Sequence, residues 1–294
     1  MAYNEAANIQ YLLRALSTQR LATVALTQII VVASGCTDTT AEIVARYSES
    51  DPRVRLLVQD ERKGKASAIN LFLKHADADI VVLESGDTIP EADTIENLLR
   101  PFHEPGVGMT GAHPVPVNSA DTFLGYVVNL YWRLHHEVAL SDPKLGEMVA
   151  FRNVVREIPE NTAVDEASIE AIVTAAGFRI EYAPTAIVRN KGAETIRDFL
   201  RQRRRVTAGH KHLHATQNYR VSTMKLRNLT RLGRQLAEEA GRRPGLTPWI
   251  AGAVGLEFYG RVLGSYDYHV KKSNPFVWEI AESTKRVKDD TSGS

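Results

Sequence analysis

The chain has 294 residues, 44% hydrophobic and 24% charged, with a formal net charge of +1. That length allows one large domain or two small ones, and the balanced charge gives no global reason for a polyanionic partner. The single cysteine, Cys36, leaves no intramolecular disulfide and suits a reducing compartment.

No charged-then-apolar leader pattern opens the sequence, so no signal peptide is expected. Trp249 to Leu263 is the longest apolar stretch, but Glu257 and Arg261 interrupt it and it is too short to span a bilayer.

In chain order, Ile9, Leu12, Leu13 and Leu16 have helical spacing within Glu5 to Gln19, with Asn4 as the expected cap. Gln28 to Ala33 is β-branched and apolar, hence a buried strand; turn residues Ser34 to Asp38 and a helix from Thr39 to Tyr47 follow. Val54 to Val58 is the next strand, and a basic loop, Arg62-Lys63-Gly64-Lys65, opens a helix running to His75. The strand Ile80 to Leu83 ends in Glu84-Ser85-Gly86-Asp87; Ile89-Pro90, a helix from Glu91 to Phe102 and a strand from Val107 to Ala112 follow. This alternation predicts a mostly parallel sheet with helices on both faces. His113 to Pro116 reads as an extended spacer, Asp121 to Val138 as an aromatic-rich helix and Met148 to Phe151 as a short strand. Asp165-Glu166 opens a helix to Ala175, and Gly177 to Val188 holds one or two strands. From Glu194 the chain is nearly all helical: Thr195 to Thr216, Thr223 to Ala240 and Trp249 to Val270.

An apolar strand ending in small and acidic residues delivers a carboxylate to the sheet edge where α/β proteins bind ligands. Asp87 is therefore a candidate metal ligand against a nucleotide diphosphate; the competing role is a helix cap. Ser34-Gly35 lets a ligand approach the backbone, or simply turns the chain before an Asp38 cap. Lysine at a helix start opposes the helix dipole, so Lys65 beside Gly64 suits diphosphate, or else a solvated turn. The basic stretch Gln202 to Arg205, on a helix that also carries Arg197, Arg201 and Lys211, fits a diphosphate grip, an anionic membrane or nucleic acid. No nucleic-acid motif accompanies it, so no nucleic-acid partner is expected. His210, His212 and His214 do not share a helix face and read as surface residues. Aromatics between Trp249 and Tyr268, with Arg261, Lys271 and Lys272, suit a membrane interface, core packing or an oligomer contact.

Taken together, Tyr3-Asn4-Glu5, Ala33 to Asp38, Gly64 to Asn70, Ser85-Gly86-Asp87, Asp165-Glu166 and Gln202 to Arg205 resemble glycosyltransferase family 2. Each motif alone is unspecific; their order and spacing over about residues 2 to 215 carry the resemblance. It implies a Rossmann-like GT-A fold and inverting transfer from a nucleotide-diphosphate sugar, with Mg²⁺ or Mn²⁺ as cofactor. Tyr3, Glu5, Ser34, Lys65, Ser85, Gln202 and Arg205 would then contact the nucleotide or diphosphate, and Asp87 the metal. Gly146 and Glu147 would meet the acceptor, a glycan or lipid-linked sugar in envelope or polysaccharide synthesis. Glu166, or else Asp165, would be the general base.

The chain departs from the family in four places. The first strand is expected to be missing ahead of Tyr3, Ser34 stands where an acid usually grips the base, Ser85 replaces one of two usual acids, and Val206 replaces a tryptophan. The missing strand, Ser34 and Ser85 keep a glycan-binding or membrane-complex scaffold open as an alternative; a sugar-1-phosphate nucleotidyltransferase is the other, although its Gly-rich, Arg-containing loop is not found. The expected organisation is a GT-A domain over 1–220 (nucleotide half 1–112, acceptor half 113–220), a helical extension over 221–287 and a disordered tail over 288–294. The expected location is the cytoplasm, with peripheral contact at the inner face of the cytoplasmic membrane.

Overall fold

The computed structural model describes residues 1–222, 226–272, 276–277 and 284. The expected tail, 288–294, and the expected helix start at Thr223 lie outside them. The N-terminal half builds α1 (Ile9–Ser17), β1 (Ile29–Ser34), α2 (Thr40–Ser50), β2 (Val54–Gln59), α3 (Lys65–Leu73), β3 (Ile80–Leu83), β4 (Thr88–Pro90) and α4 (Thr94–Leu99). Then come β5 (Val107–Pro116), α5 (Phe123–Ala139), β6 (Val149–Arg152), α6 (Asp165–Ala175), β7 (Arg179–Asn190), α7 (Ile196–Gln217), α8 (Leu226–Arg242) and α9 (Thr247–His269).

The sheet is mixed, not mostly parallel. Five strands lie in the order β3-β6-β5-β7-β4, and among neighbouring strands only β5 and β7 pair in parallel. β3, which ends at the acidic turn, pairs antiparallel with β6. A short buried apolar strand has the same composition in either direction, so its sequence carries no sign of orientation. β1 and β2 form a separate parallel pair.

Between these two sheets lie Met1 and Ala2, where the first strand was expected to be missing. Ala2 bridges Ala33 in parallel, and the Gly86 N–H donates to the Met1 carbonyl at 3.0 Å. Two residues thus join the ends of β1 and β3.

Alternate residues of each central strand serve opposite cores, as the pleat requires. Val81, Leu83, Val149 and Phe151 pack with Ile69 and Phe72 of α3 and Ile169 of α6. Ile80, Val82 and Ala150 face the other way, toward Ile95 and Leu98 of α4. Helices therefore cover both faces, as expected.

Three local readings need correction. Asn4 does not cap α1; it sits at φ +52° and its side chain accepts from the Thr37 N–H at 2.8 Å, tying two loops together. Ile89-Pro90 belongs to a strand, and the helix after it starts only at Thr94. His113 to Pro116 continues β5. The Val117 N–H bonds Asn190 of β7, while the Ala112 N–H bonds Met148 on the opposite side. Pro114 and Pro116 therefore turn their missing N–H toward the side where β6 has already ended, which an edge tolerates.

α9 lies against α7 through Gly260 and Gly264. A Cβ at either would sit 2.7 Å from Arg203 Cβ or the Arg204 carbonyl, so only glycine allows this approach. The contact braces the part of α7 that carries Gln202 to Arg205.

Candidate active site

All twelve candidate residues line one cleft of about 1060 Å³. It gathers the loop after Ala2, the ends of β1 and β3, the α3 N-terminus, the loop before β6, the α6 N-terminus and α7.

At one end, Arg62 stacks its guanidinium 4.1 Å from the Tyr3 ring centroid. Glu5 is 5% exposed, and its carboxylate accepts from Asn8 Nδ2 at 3.0 Å. The Ser34 hydroxyl is buried and donates to Gln59 Oε1 at 2.9 Å, so it is already engaged within the protein.

Four carboxyl groups meet at the middle. The Thr88 hydroxyl lies within hydrogen-bond reach of both the Glu84 carboxyl and the Ser85 carbonyl. Burial, then the nearby charges of Glu147 and Asp87, hold the Glu84 carboxyl up at about 8. Glu147 sits at φ +61°, an uncommon backbone state for a side-chain-bearing residue and one that clusters at functional sites. Asn190 Nδ2 donates to it at 3.2 Å. Burial and the charges of Asp87 and Glu166 raise its carboxyl to about 7. Gly146 beside it faces open space.

This crowding fits a cation. Asp87 is the half-buried carboxylate whose charge presses on both neighbours, a repulsion that a divalent ion would relieve. Among the described residues, no group of three or more His, Cys, Asp or Glu side chains is arranged to hold a metal. The donor set thus suits a hard cation that takes one or two protein carboxylates and completes its shell with phosphate oxygens.

Apo stability should carry the signature of these raised carboxyls. The fold keeps a proton on Glu84 that the unfolded chain releases near 4.5, so stability falls as pH rises from there through about 8. Thermal melts at successive pH values should show this decline, and Glu84→Gln should flatten it by on the order of a few kcal/mol. An equally steep decline in the variant would contradict the assignment.

Lys65 lies against the acidic pair opening α6, 2.6 Å from Asp165 Oδ2 and 2.9 Å from Glu166 Oε1. The two carboxylates answer the charge that Lys65 places at the start of α3. Burial works against the Lys65 ammonium, but Asp165 and Glu166 outweigh it and raise its pKa. The two acids diverge: the ammonium overcomes burial to keep Asp165 ionised, while burial and the Asp165 charge raise Glu166. Breaking such a buried set from one side leaves like charges unpaired. Lys65→Met should therefore cost about 3–5 kcal/mol in denaturant unfolding, and adding Asp165→Asn should recover most of it.

Gln202 and Arg205 line the α7 wall, where Arg205 feels the charges of Asp165 and Glu166. Several participants escaped the sequence reading. Glu170 lies one turn beyond Glu166, a spacing that could have flagged it; it accepts from the Leu145 N–H at 2.9 Å and from Tyr219 Oη at 3.0 Å. Asn190 and Lys144 reach the cleft from elements with no local signal. His210 is not a surface residue: it lines the cleft, and burial beside Lys144 and Arg203 drives its imidazole down to about 3.

The profile of the family described as Glycosyl transferase family 2 matches residues 1–172. The chain is 25% identical over 183 residues to an N-acetylglucosaminyltransferase of Bradyrhizobium diazoefficiens, covering 55% of this chain and 38% of that one. It is 25% identical over 195 residues to the poly-beta-1,6-N-acetyl-D-glucosamine synthase of Staphylococcus aureus, covering 62% and 47%. The chain thus spans roughly 38% to 47% of the length of these curated relatives. Its fold resembles that of a mannosyltransferase from Pyrobaculum calidifontis in complex with GDP-Man and Mn²⁺, with TM-score 0.66 and 21% identity over 92% of this chain and 86% of that one. It also resembles glucosyl-3-phosphoglycerate synthase from Mycobacterium tuberculosis in complex with Mn²⁺ and UDP-glucose, with TM-score 0.52 and 19% identity over 76% and 79%.

Proposed function

The chain belongs to glycosyl transferase family 2, and from that premise we propose that it moves a sugar from a nucleotide-diphosphate donor to an acceptor hydroxyl, inverting the anomeric carbon. One observation carries the reading: Asp87, the Lys65–Asp165–Glu166 set and Arg205 converge on one cleft. The ligands of the two similar structures support a nucleotide-diphosphate sugar and a divalent cation here too.

Glu166 is the general base. Lys65 occupies its Oε1, leaving Oε2 to accept the proton of the acceptor hydroxyl. Burial and Asp165 raise its pKa, which improves it as a base. As the acceptor oxygen bonds the anomeric carbon, the bond to the diphosphate oxygen breaks, and Arg205 and Lys65 supply positive charge on that side. When bound, Mg²⁺ or Mn²⁺ neutralises the leaving diphosphate. Asp87 would hold it, with phosphate oxygens completing its shell.

Tyr3, Glu5, Ser34, Ser85 and Gln202 form the nucleotide end, and Gly146 with Glu147 the acceptor side. We assign 1–112 to donor binding, 113–220 to the acceptor side and the helices from residue 226 to an extension. The acceptor is a glycan or a lipid-linked sugar, met in the cytoplasm at the inner face of the membrane. No described helix is long and apolar enough to cross a membrane.

Incubation with UDP-, GDP- and dTDP-sugars and Mn²⁺ tests this reading through nucleoside diphosphate release. Pyrophosphate release from a nucleoside triphosphate would indicate nucleotidyl transfer instead. Absence of any nucleotide binding by calorimetry would leave a scaffold.

A further inference from the structure

The centre of the outward face of α9 is apolar, with the Arg261 side chain, 42% exposed, at its rim. Among the described residues, the exposed positions of this helix from 251 to 266 are Ala251, Val254, Gly255, Phe258, Tyr259, Val262 and Tyr266. Val254, Phe258, Val262, Tyr266 and Val270 recur at intervals of four, each between 46% and 70% exposed, so they form one continuous stripe. The two acids of the helix point elsewhere: Glu257 pairs with Arg261, and Asp267 with Arg204 at 2.7 Å and Lys271 at 3.6 Å. A helix that is apolar on its packed and on its outward side belongs in a core or against lipid.

The charge around the stripe distinguishes possible occupants. Arg242-Arg243 precede α9 and Lys271-Lys272 follow it, all four exposed. Across α7, α9 and these two pairs, Lys and Arg outnumber Asp and Glu by eleven to three. A second copy of the chain would bring these cations against their own kind, a juxtaposition that disfavours pairing. An anionic bilayer meets both requirements, since it takes apolar and aromatic side chains at the acyl boundary and cations among its headgroups.

We propose that the outward face of α9 docks the protein on an anionic lipid surface, through the Val254–Phe258–Val262–Tyr266–Val270 stripe and its flanking basic pairs. Tyr259, Leu263 and Lys271 of the same segment line the cleft, so docking brings the cleft mouth to the membrane surface. An acceptor with a lipid anchor could then enter without leaving the bilayer. Docking depends on this helix face and not on the transfer reaction.

The test is vesicle flotation of the full chain, with phosphatidylcholine vesicles alone or containing about 30% phosphatidylglycerol. The wild type should float with the anionic vesicles about tenfold more than with the neutral ones, and less at high salt. Phe258→Asp with Val262→Asp should lower flotation about tenfold while thermal melt and donor binding stay as in the wild type. Arg242→Glu with Arg243→Glu, which leaves the stripe untouched, should weaken flotation and its salt dependence. Three results would each overturn the proposal: no flotation of the wild type, wild-type flotation by the stripe variant, or a wild-type dimer in sedimentation that the stripe variant splits.

Discussion

Glu166→Gln is expected to lower kcat by about 10²–10⁴, the span of a lost general base. The amide keeps an oxygen for Lys65, which stands 2.9 Å from Glu166 Oε1, so donor binding and folding should stay near wild type. The loss should therefore fall on kcat and leave the donor KM almost unchanged. Because burial and Asp165 raise the Glu166 pKa, wild-type activity should fall with decreasing pH above the ordinary carboxylate range, and the variant should lose that limb. Steady-state kinetics over pH, with calorimetric donor binding, would check this. Wild-type kcat in the variant, or an equal loss of donor affinity, would move the base elsewhere; Asp165 and Glu147 are the nearest candidates.

Asp87→Ala should abolish the effect of Mn²⁺ on donor binding and reduce kcat/KM by about 10²–10³, as loss of one electrostatic clamp does. Removing its charge relieves Glu84 and Glu147, both of which it presses upward, so the apo variant should melt no lower than the wild type. That combination separates a binding defect from a folding defect. Titration of donor with and without Mn²⁺ reads it directly. Mn²⁺ dependence that survives in Asp87→Ala would rule out this carboxylate as the ligand.

Much of the fold was legible because its signals are local. β1 and β3 are β-branched runs and β2 a short, largely apolar one, and α3, α6 and α7 keep helical spacing with polar starts. Strand direction was not legible. Val149–Arg152 is apolar and short, and its antiparallel place beside β3 follows from the path of the chain between Pro116 and Val149. The prolines of β5 misled for a related reason: a proline is tolerated where no partner strand stands opposite, and that partner is distant in sequence. At the site, residue types in family order marked twelve candidates that all line the cleft, but their relations were not legible. Lys65 was marked for diphosphate because a cation at a helix start needs a reason; that Asp165 and Glu166 also face it became visible only in the fold. His210 read as a surface residue because it shares no helix face with His212 and His214, whereas the charges around it come from Lys144, from Arg203 of its own helix and from Arg261 of α9.

By itself the sequence determined most of the element types, the family and the set of residues able to carry charge at a sheet edge. These depend on backbone propensity, side-chain periodicity and chemical type over a few neighbouring residues. The tertiary structure alone decided which carboxyls share a cleft, which of them burial raises and which an ammonium holds charged. It also decided that, among the described residues, the outer side of α9 is exposed. A pKa or an exposed face is set by whatever lies within a few ångströms, and in a mixed α/β sheet those neighbours are mostly far away along the chain.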